Sequence, residues 1–448
     1  MIKNSMLAHL RATDPKLYEI VESAFRDTRF TLSLLPAQNI TSPLASFLEG
    51  SSMVDSSLTY HDLNKKSPLE LLAKERAENL FHAQHAIVRI DGLTSASRVV
   101  LLTFLKTGDT VFTFNGRKAE HCSGEEMRYN FVNFSVNADS KSLDFEKLRQ
   151  KAQELRPKLM IFSPVNYPLE VDYKELAKVA HEVGAPLWVD TNQHAGLIAA
   201  GLLKSPVPFA DVVTFPMKNS MQGSIGAIIL SRDEYADKLE RAVIDTGHAS
   251  LKENHFAALA ATLKEVGSAV FKSYGENVLK NARTMAKELI AGGAQLYLGG
   301  TDTHLVVVQV GDKAEEIREK LKRISILTHI SKVPTDRDGE TITCLRLSSL
   351  MPTTRGLTEK EMHTIGKIIA EVVTSDIDKE REDKLRAVVA KILINKPIFS
   401  NEWIAQDNSA IANSYDMNDM AAIRETAVKK RRNLWRRLFR HNHPRNKK

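Results

Sequence analysis

Residues 186–218, PLWVDTNQHAGLIAAGLLKSPVPFADVVTFPMK, decide the fold. Two short apolar runs, APLWVDT (185–191) and ADVVTFPM (210–217), read as strands. Asp190 ends the first, and Lys218 follows the second. Polar residues that close apolar strands are where α/β folds place ligand sites. Outward from this stretch the chain alternates. HAIVRI (85–90), DTVFTF (109–114) and KLMIFSP (158–164) read as strands. SASRVVLLTFLKTG (95–108) and DYKELAKVAHEVGAP (172–186) read as helices ended near Gly108 and Gly184. GAIILS (226–231) completes a hairpin-like run. Strands alternating with helices predict an α/β fold with a mainly parallel, helix-covered sheet.

Further out, residues 5–30 carry apolar positions at helical spacing and predict a helical arm. TLSLLPAQNITSP (31–43) reads as irregular, and a helix is expected over about 68–83. One long helical stretch is expected over 249–292. Then AQLYLG, HLVVVQV and TCLRLS read as strands, with helices at AEEIREKLKR and EKEMHTIGKIIAEVVTS. The expected division is an arm (1–45), a large domain (46–265), a small C-terminal α/β domain (266–403) and an extension (404–448).

The chain has 448 residues, 43% hydrophobic and 26% charged, as ordinary globular proteins do. No apolar run reaches membrane-spanning length, and the start lacks a secretory signal's apolar centre. Two cysteines, Cys122 and Cys344, far apart in sequence, argue against a disulfide framework and point to a reducing cytoplasm. His121 beside Cys122 reads as incidental, and no metal-ligand spacing is present. Residues 428–448 hold ten Lys or Arg and no acid; removing those ten from the net +7 leaves −3 for the rest. A helix here would be basic and amphipathic, with Trp435 and Phe439 on it. A solvated tail, an anionic membrane, nucleic acid and a protein groove all remain open for it.

Several segments resemble serine hydroxymethyltransferase, in that family's order. They are QNITSP (38–43), LAKERAENLF (72–81), LKTGDTV (105–111), VDTNQHAGLIAAG (189–201), SPVPFADVVT (205–214), GGTDTHLVVV (299–308) and LRLSSLMPTTRGLT (345–358). The resemblance spans about residues 30–400 and implies the pyridoxal-phosphate (PLP) transferase fold of type I. It also implies a homodimer acting on a small amino acid, with PLP as cofactor and tetrahydrofolate as co-substrate.

PLP chemistry needs a lysine amine, a carboxylate on the ring nitrogen, a phosphate grip and an arginine for the substrate carboxylate. The resemblance puts Asp190 on the ring nitrogen and Arg346 on the amino-acid carboxylate. A turn-capping aspartate and an ion-paired arginine are the plainer alternatives. Thr94 and Ser95, with Ser97 nearby, stand where the phosphate grip is expected, and Gly226 follows the lysine position. Gln193 takes the place of a family histidine, with His194 one residue on. His304 and His255 read as structural, and Asp302 as a turn residue.

The pocket departs from the family at three further places. Without gaps the Schiff-base lysine falls on Asn219, and Lys218 stands one residue early. A slip around Pro216 would bring Lys218 to the cofactor; otherwise its side chain points away, because strand neighbours alternate. The stacking histidine is Lys118, and Tyr60 aligns with a pocket tyrosine. The carboxylate expected to handle protons in one-carbon transfer falls on Gln38, which exchanges no proton near neutral pH. Three functions follow. The first is a PLP enzyme at Cα–Cβ, either hydroxymethyl transfer or folate-independent aldol-type cleavage. The second is a fold-retaining binding or regulatory protein. The third is a PLP enzyme of another type, a decarboxylase or an aminotransferase.

Overall fold

The computed structural model describes residues 2–51, 53, 66–114, 128–137, 140, 142–246, 251–337 and 340–404. Its backbone forms one compact unit, Arg29–Trp403, and the N-terminal residues up to Thr28 fall outside it. The expected arm is two helices, Ile2–Thr13 and Pro15–Phe30. The break falls at Asp14, whose carboxylate accepts the Leu17 N–H and so caps the second helix.

The strands are β1 (Leu32–Ser33), β2 (His85–Ile90), β3 (Thr110–Phe114), β4 (Asn130–Phe134), β5 (Leu159–Phe162), β6 (Leu187–Asp190), β7 (Val212–Pro216), β8 (Ala227–Ser231), β9 (Leu305–Gln309), β10 (Ile326–Leu327), β11 (His329–Pro334) and β12 (Thr341–Ser348). Seven of them form one sheet in the order β2-β8-β7-β6-β5-β3-β4. β8 runs antiparallel to both neighbours, and the other pairings are parallel. Successive residues feed opposite faces. Phe112, Phe162, Val189 and Phe215 join one buried cluster, while Val111, Ile161, Trp188 and Val212 join another. Both faces are covered, which is why these strands read as unbroken apolar runs. Helices Leu93–Phe104 and Asp233–Asp245 supply buried residues to the second cluster. Helices Pro68–Phe81, Tyr173–Glu182 and Glu253–Val266 supply the first.

A three-stranded antiparallel sheet, β11-β12-β9, has its own core of Val306, Val308, Leu345, Leu347 and Ile365. β1 pairs with β10, so the chain following the arm is tied to this second region.

Three expectations are corrected. The stretch 249–292 is two helices, Glu253–Val266 and Ala269–Ala291, divided where Ser268 caps the second. AQLYLG is not a strand. Only Leu296 bridges Val308, and the chain then turns through Tyr297–Gly299 with Leu298 at φ +60°. The irregular 31–43 segment contains β1, and Pro43–Glu49 follows it as a short helix capped by Ser42. Among the described residues no helix is long and apolar enough to cross a membrane.

Candidate active site

The carboxyl ends of β5, β6 and β7 converge on Asp190, which is 1% exposed. A carboxylate buried this deeply needs donors. Ser163, just past β5, donates its hydroxyl to Asp190 Oδ2 at 3.0 Å. The Asn192 backbone N–H donates to Oδ1 at 3.1 Å. Ser163 escaped the sequence reading because its role comes from the neighbouring strand.

β7 keeps regular register with β8 as far as Pro216, which lies opposite Ala227. The slip that would turn Lys218 inward is absent. Met217 and Asn219 are buried, and Lys218 is exposed. Asn219 adopts φ +66°, the left-handed region that asparagine tolerates better than most residues. Its side-chain Nδ2 donates to Asn192 Oδ1 at 3.3 Å. Its Oδ1 is buried with no hydrogen-bond partner. Asn39 Nδ2 holds the Asn219 carbonyl at 2.8 Å, and Thr354 Oγ1 in turn donates to Asn39 Oδ1 at 2.7 Å. The position the resemblance gives to lysine is therefore a buried, tethered amide.

Two cavities meet at Lys218 and Asn219. The first, about 520 Å³, is lined by Thr94, Ser95, Asn192 and Gly226 among others. Thr94 and Ser95 lie in the first turn of helix Leu93–Phe104, whose cap, Gly92, makes no side-chain cap bond. That leaves a helix N-terminus suited to an anion. Ser97 is excluded from this role: it is fully buried and donates to the Leu93 carbonyl. Gly226 has φ +126°, and a Cβ there would come within 2.7 Å of His255 Cε1. The second cavity, about 680 Å³, is lined by Gln38, Glu49 and Ser224. Gln38 Oε1 accepts the Ser33 hydroxyl at 2.9 Å.

Arg346, 3% exposed on β12, donates Nη2 to Gln193 Oε1 at 3.2 Å. His304 Nε2 lies 3.1 Å from the Gln193 carbonyl, so Nε2 carries the proton and Nδ1 is left an acceptor. The His194 and His304 rings lie 5.2 Å apart. Burial, helped by the Arg346 charge, pushes His194 down to about 4 against the pull of Asp190. Burial and the charges of His194 and Arg346 push His304 well below the usual range. Both rings are neutral at physiological pH. Asp302 accepts the Glu170 N–H at 3.1 Å, a tie between segments far apart in sequence. Tyr60, Lys118, His121, Cys122 and the tail 428–448 lie outside the described residues. No cluster among the described residues has a metal-binding composition.

A sequence model described as serine hydroxymethyltransferase matches residues 10–369. The chain belongs to the serine hydroxymethyltransferase family. Proteins named serine hydroxymethyltransferase from Acidovorax sp. (strain JS42) and Acidovorax ebreus (strain TPSY) are each 30% identical to it over 404 residues. Those matches cover 86% of this chain and 97% of each relative. The family has the PLP type I fold, and its members are PLP-dependent transferases. The family and the relatives' names support a serine hydroxymethyltransferase-like function.

The residues present fit that cofactor in part. A buried, hydrogen-bonded carboxylate suits a protonated ring nitrogen, and an uncapped helix N-terminus bearing Thr94 and Ser95 suits a phosphate. The position that the resemblance gives to the covalent lysine does not fit, because Asn219 has no amine to offer.

Proposed function

We propose that this family member binds PLP together with a small amino acid as a non-covalent pair, without folate-dependent hydroxymethyl transfer. The observation that carries the reading is Asn219, buried beside Asn192 where the resemblance expects a lysine. PLP, when bound, supplies a ring that draws negative charge away from the amino acid's Cα. Asp190 would keep the ring nitrogen protonated, and Ser163 keeps that carboxylate in place. Thr94 and Ser95 would hold the phosphate. Arg346, held by Gln193, would take the amino-acid carboxylate as a planar fork. Gln38 can hold a hydrogen bond at this site but cannot relay a proton. A homodimer belongs to the same proposal.

One observation favours a second reading. Lys218 lines both cavities. If it reaches the cofactor, the chain would act at Cα–Cβ, by hydroxymethyl transfer or by folate-independent cleavage.

Equilibrium dialysis of the full chain tests the leading reading. Saturable, reversible PLP binding that Asp190→Ala abolishes is expected, with no glycine formed from serine and tetrahydrofolate. Glycine formation that depends on tetrahydrofolate would overturn it.

A further inference from the structure

The turn that follows Lys218 begins and ends on left-handed residues that are not glycine: Asn219 at φ +66° and Gln222 at φ +56°. Backbone of this kind persists where its surroundings hold it. Here both ends are tied to one buried cluster. Asn39 Nδ2 donates to the Asn219 carbonyl at 2.8 Å and to Tyr274 Oη at 3.1 Å. Gln222 Nε2 donates to Thr354 Oγ1 at 2.9 Å. Thr354 Oγ1 donates to Asn39 Oδ1 at 2.7 Å and lies 3.0 Å from Tyr274 Oη, which closes a ring of three side chains. Tyr274 and Thr354 are fully buried, so their bonds are strong and water does not replace them. Residues 400–403 hold this cluster from behind. The Ser400 N–H donates to the Thr354 carbonyl at 2.9 Å, and Trp403 Nε1 donates to the Thr353 carbonyl at 2.7 Å. The Trp403 ring stands edge-on to Tyr274, with centroids 5.4 Å apart.

We infer that Trp403 is a positioning residue for the cofactor cavity. It acts through Thr353, Thr354 and Asn39 on the turn that carries Asn219, and Asn219 and Lys218 line both cavities. The inference rests on the reading that the 520 Å³ cavity takes PLP, and it names what sets one wall of that cavity. Each link is a printed contact between packed, mostly buried groups, so a shift of helix Leu350–Thr354 passes to the turn. Trp403 stands where the resemblance to the family stops, so the wall of the site leans on the root of the extension.

The test is calorimetric titration of the full chain with PLP, with the melting temperature measured on every variant. Trp403→Phe keeps a ring against Tyr274 and removes the N–H. The Thr353 carbonyl still accepts the Gly356 N–H, so no acceptor is orphaned. PLP binding should weaken roughly threefold or more, the scale of substitutions along a packed network. Thr354→Val removes the hydroxyl that passes the effect on, so in that background Trp403→Phe should cost nothing further, which a double-mutant cycle reads. Asn39→Ala cuts the same link and takes its place where the threonine variant does not fold. Val389→Ala, in the other core, should lower the melting temperature and leave PLP affinity unchanged. Unchanged affinity in Trp403→Phe, losses that simply add in the double variant, or an equal loss in Val389→Ala overturn the inference alone. Failure of the unaltered chain to bind PLP overturns the functional reading beneath it.

Discussion

Arg346 Nη2 donates to Gln193 Oε1 at 3.2 Å, so an uncharged amide orients a buried guanidinium without neutralising it. The planar fork of arginine matters for a carboxylate in a way that a lysine ammonium does not reproduce. Arg346→Lys should therefore weaken N-(5′-phosphopyridoxyl)glycine binding by about tenfold or more, as expected for loss of a charge-assisted pair. It should leave pyridoxamine phosphate, which has no carboxylate on its amine, nearly unaffected. Paired titrations read the difference, and equal weakening of both ligands would remove Arg346 from the carboxylate site.

The two neutral histidines make stability depend on pH. His194 is pushed down to about 4 in the folded chain, below its ordinary value. Between that value and about 6.5 the unfolded chain therefore binds more protons than the folded one. Stability should rise with pH across this window and fall as pH drops through it. The slope reaches at most about 1.4 kcal/mol per pH unit for each histidine. His304 acts in the same direction. Urea denaturation midpoints from pH 4.5 to 7 should show the rise, and His194→Gln should flatten it. An unchanged slope in that variant would mean that His194 does not titrate on unfolding.

Gly226 packs against His255 at φ +126°, where a Cβ would meet the ring at 2.7 Å. Gly226→Ala should lower the melting temperature and weaken cofactor binding together, since the same glycine lines the 520 Å³ cavity. The strained backbone alone is worth about 1–3 kcal/mol. A fully stable variant with normal ligand affinity would show that the turn relaxes freely.

The parallel strands were legible because both their faces are buried, so β5, β6 and β7 stand out as apolar runs. β4 was not, because NFVNF has only Phe134 fully buried and lies at the sheet edge. Arg346 was legible as a charge interrupting an apolar strand, and Asp190 as one ending it. Ser163 and Asn192 were not, because each gains its meaning from Asp190 across the sheet or turn. The choice between Lys218 and Asn219 turned on a single residue of register. Only the pairing of Pro216 with Ala227 displays that register.

The most direct measurement is borohydride reduction of the full chain saturated with PLP, followed by peptide mass spectrometry. The account predicts saturable binding with no stoichiometric phosphopyridoxyl adduct on Lys218, because that residue is exposed and Asn219 holds the inward position. A stoichiometric adduct on Lys218 would contradict it and establish the rim lysine as the Schiff-base residue.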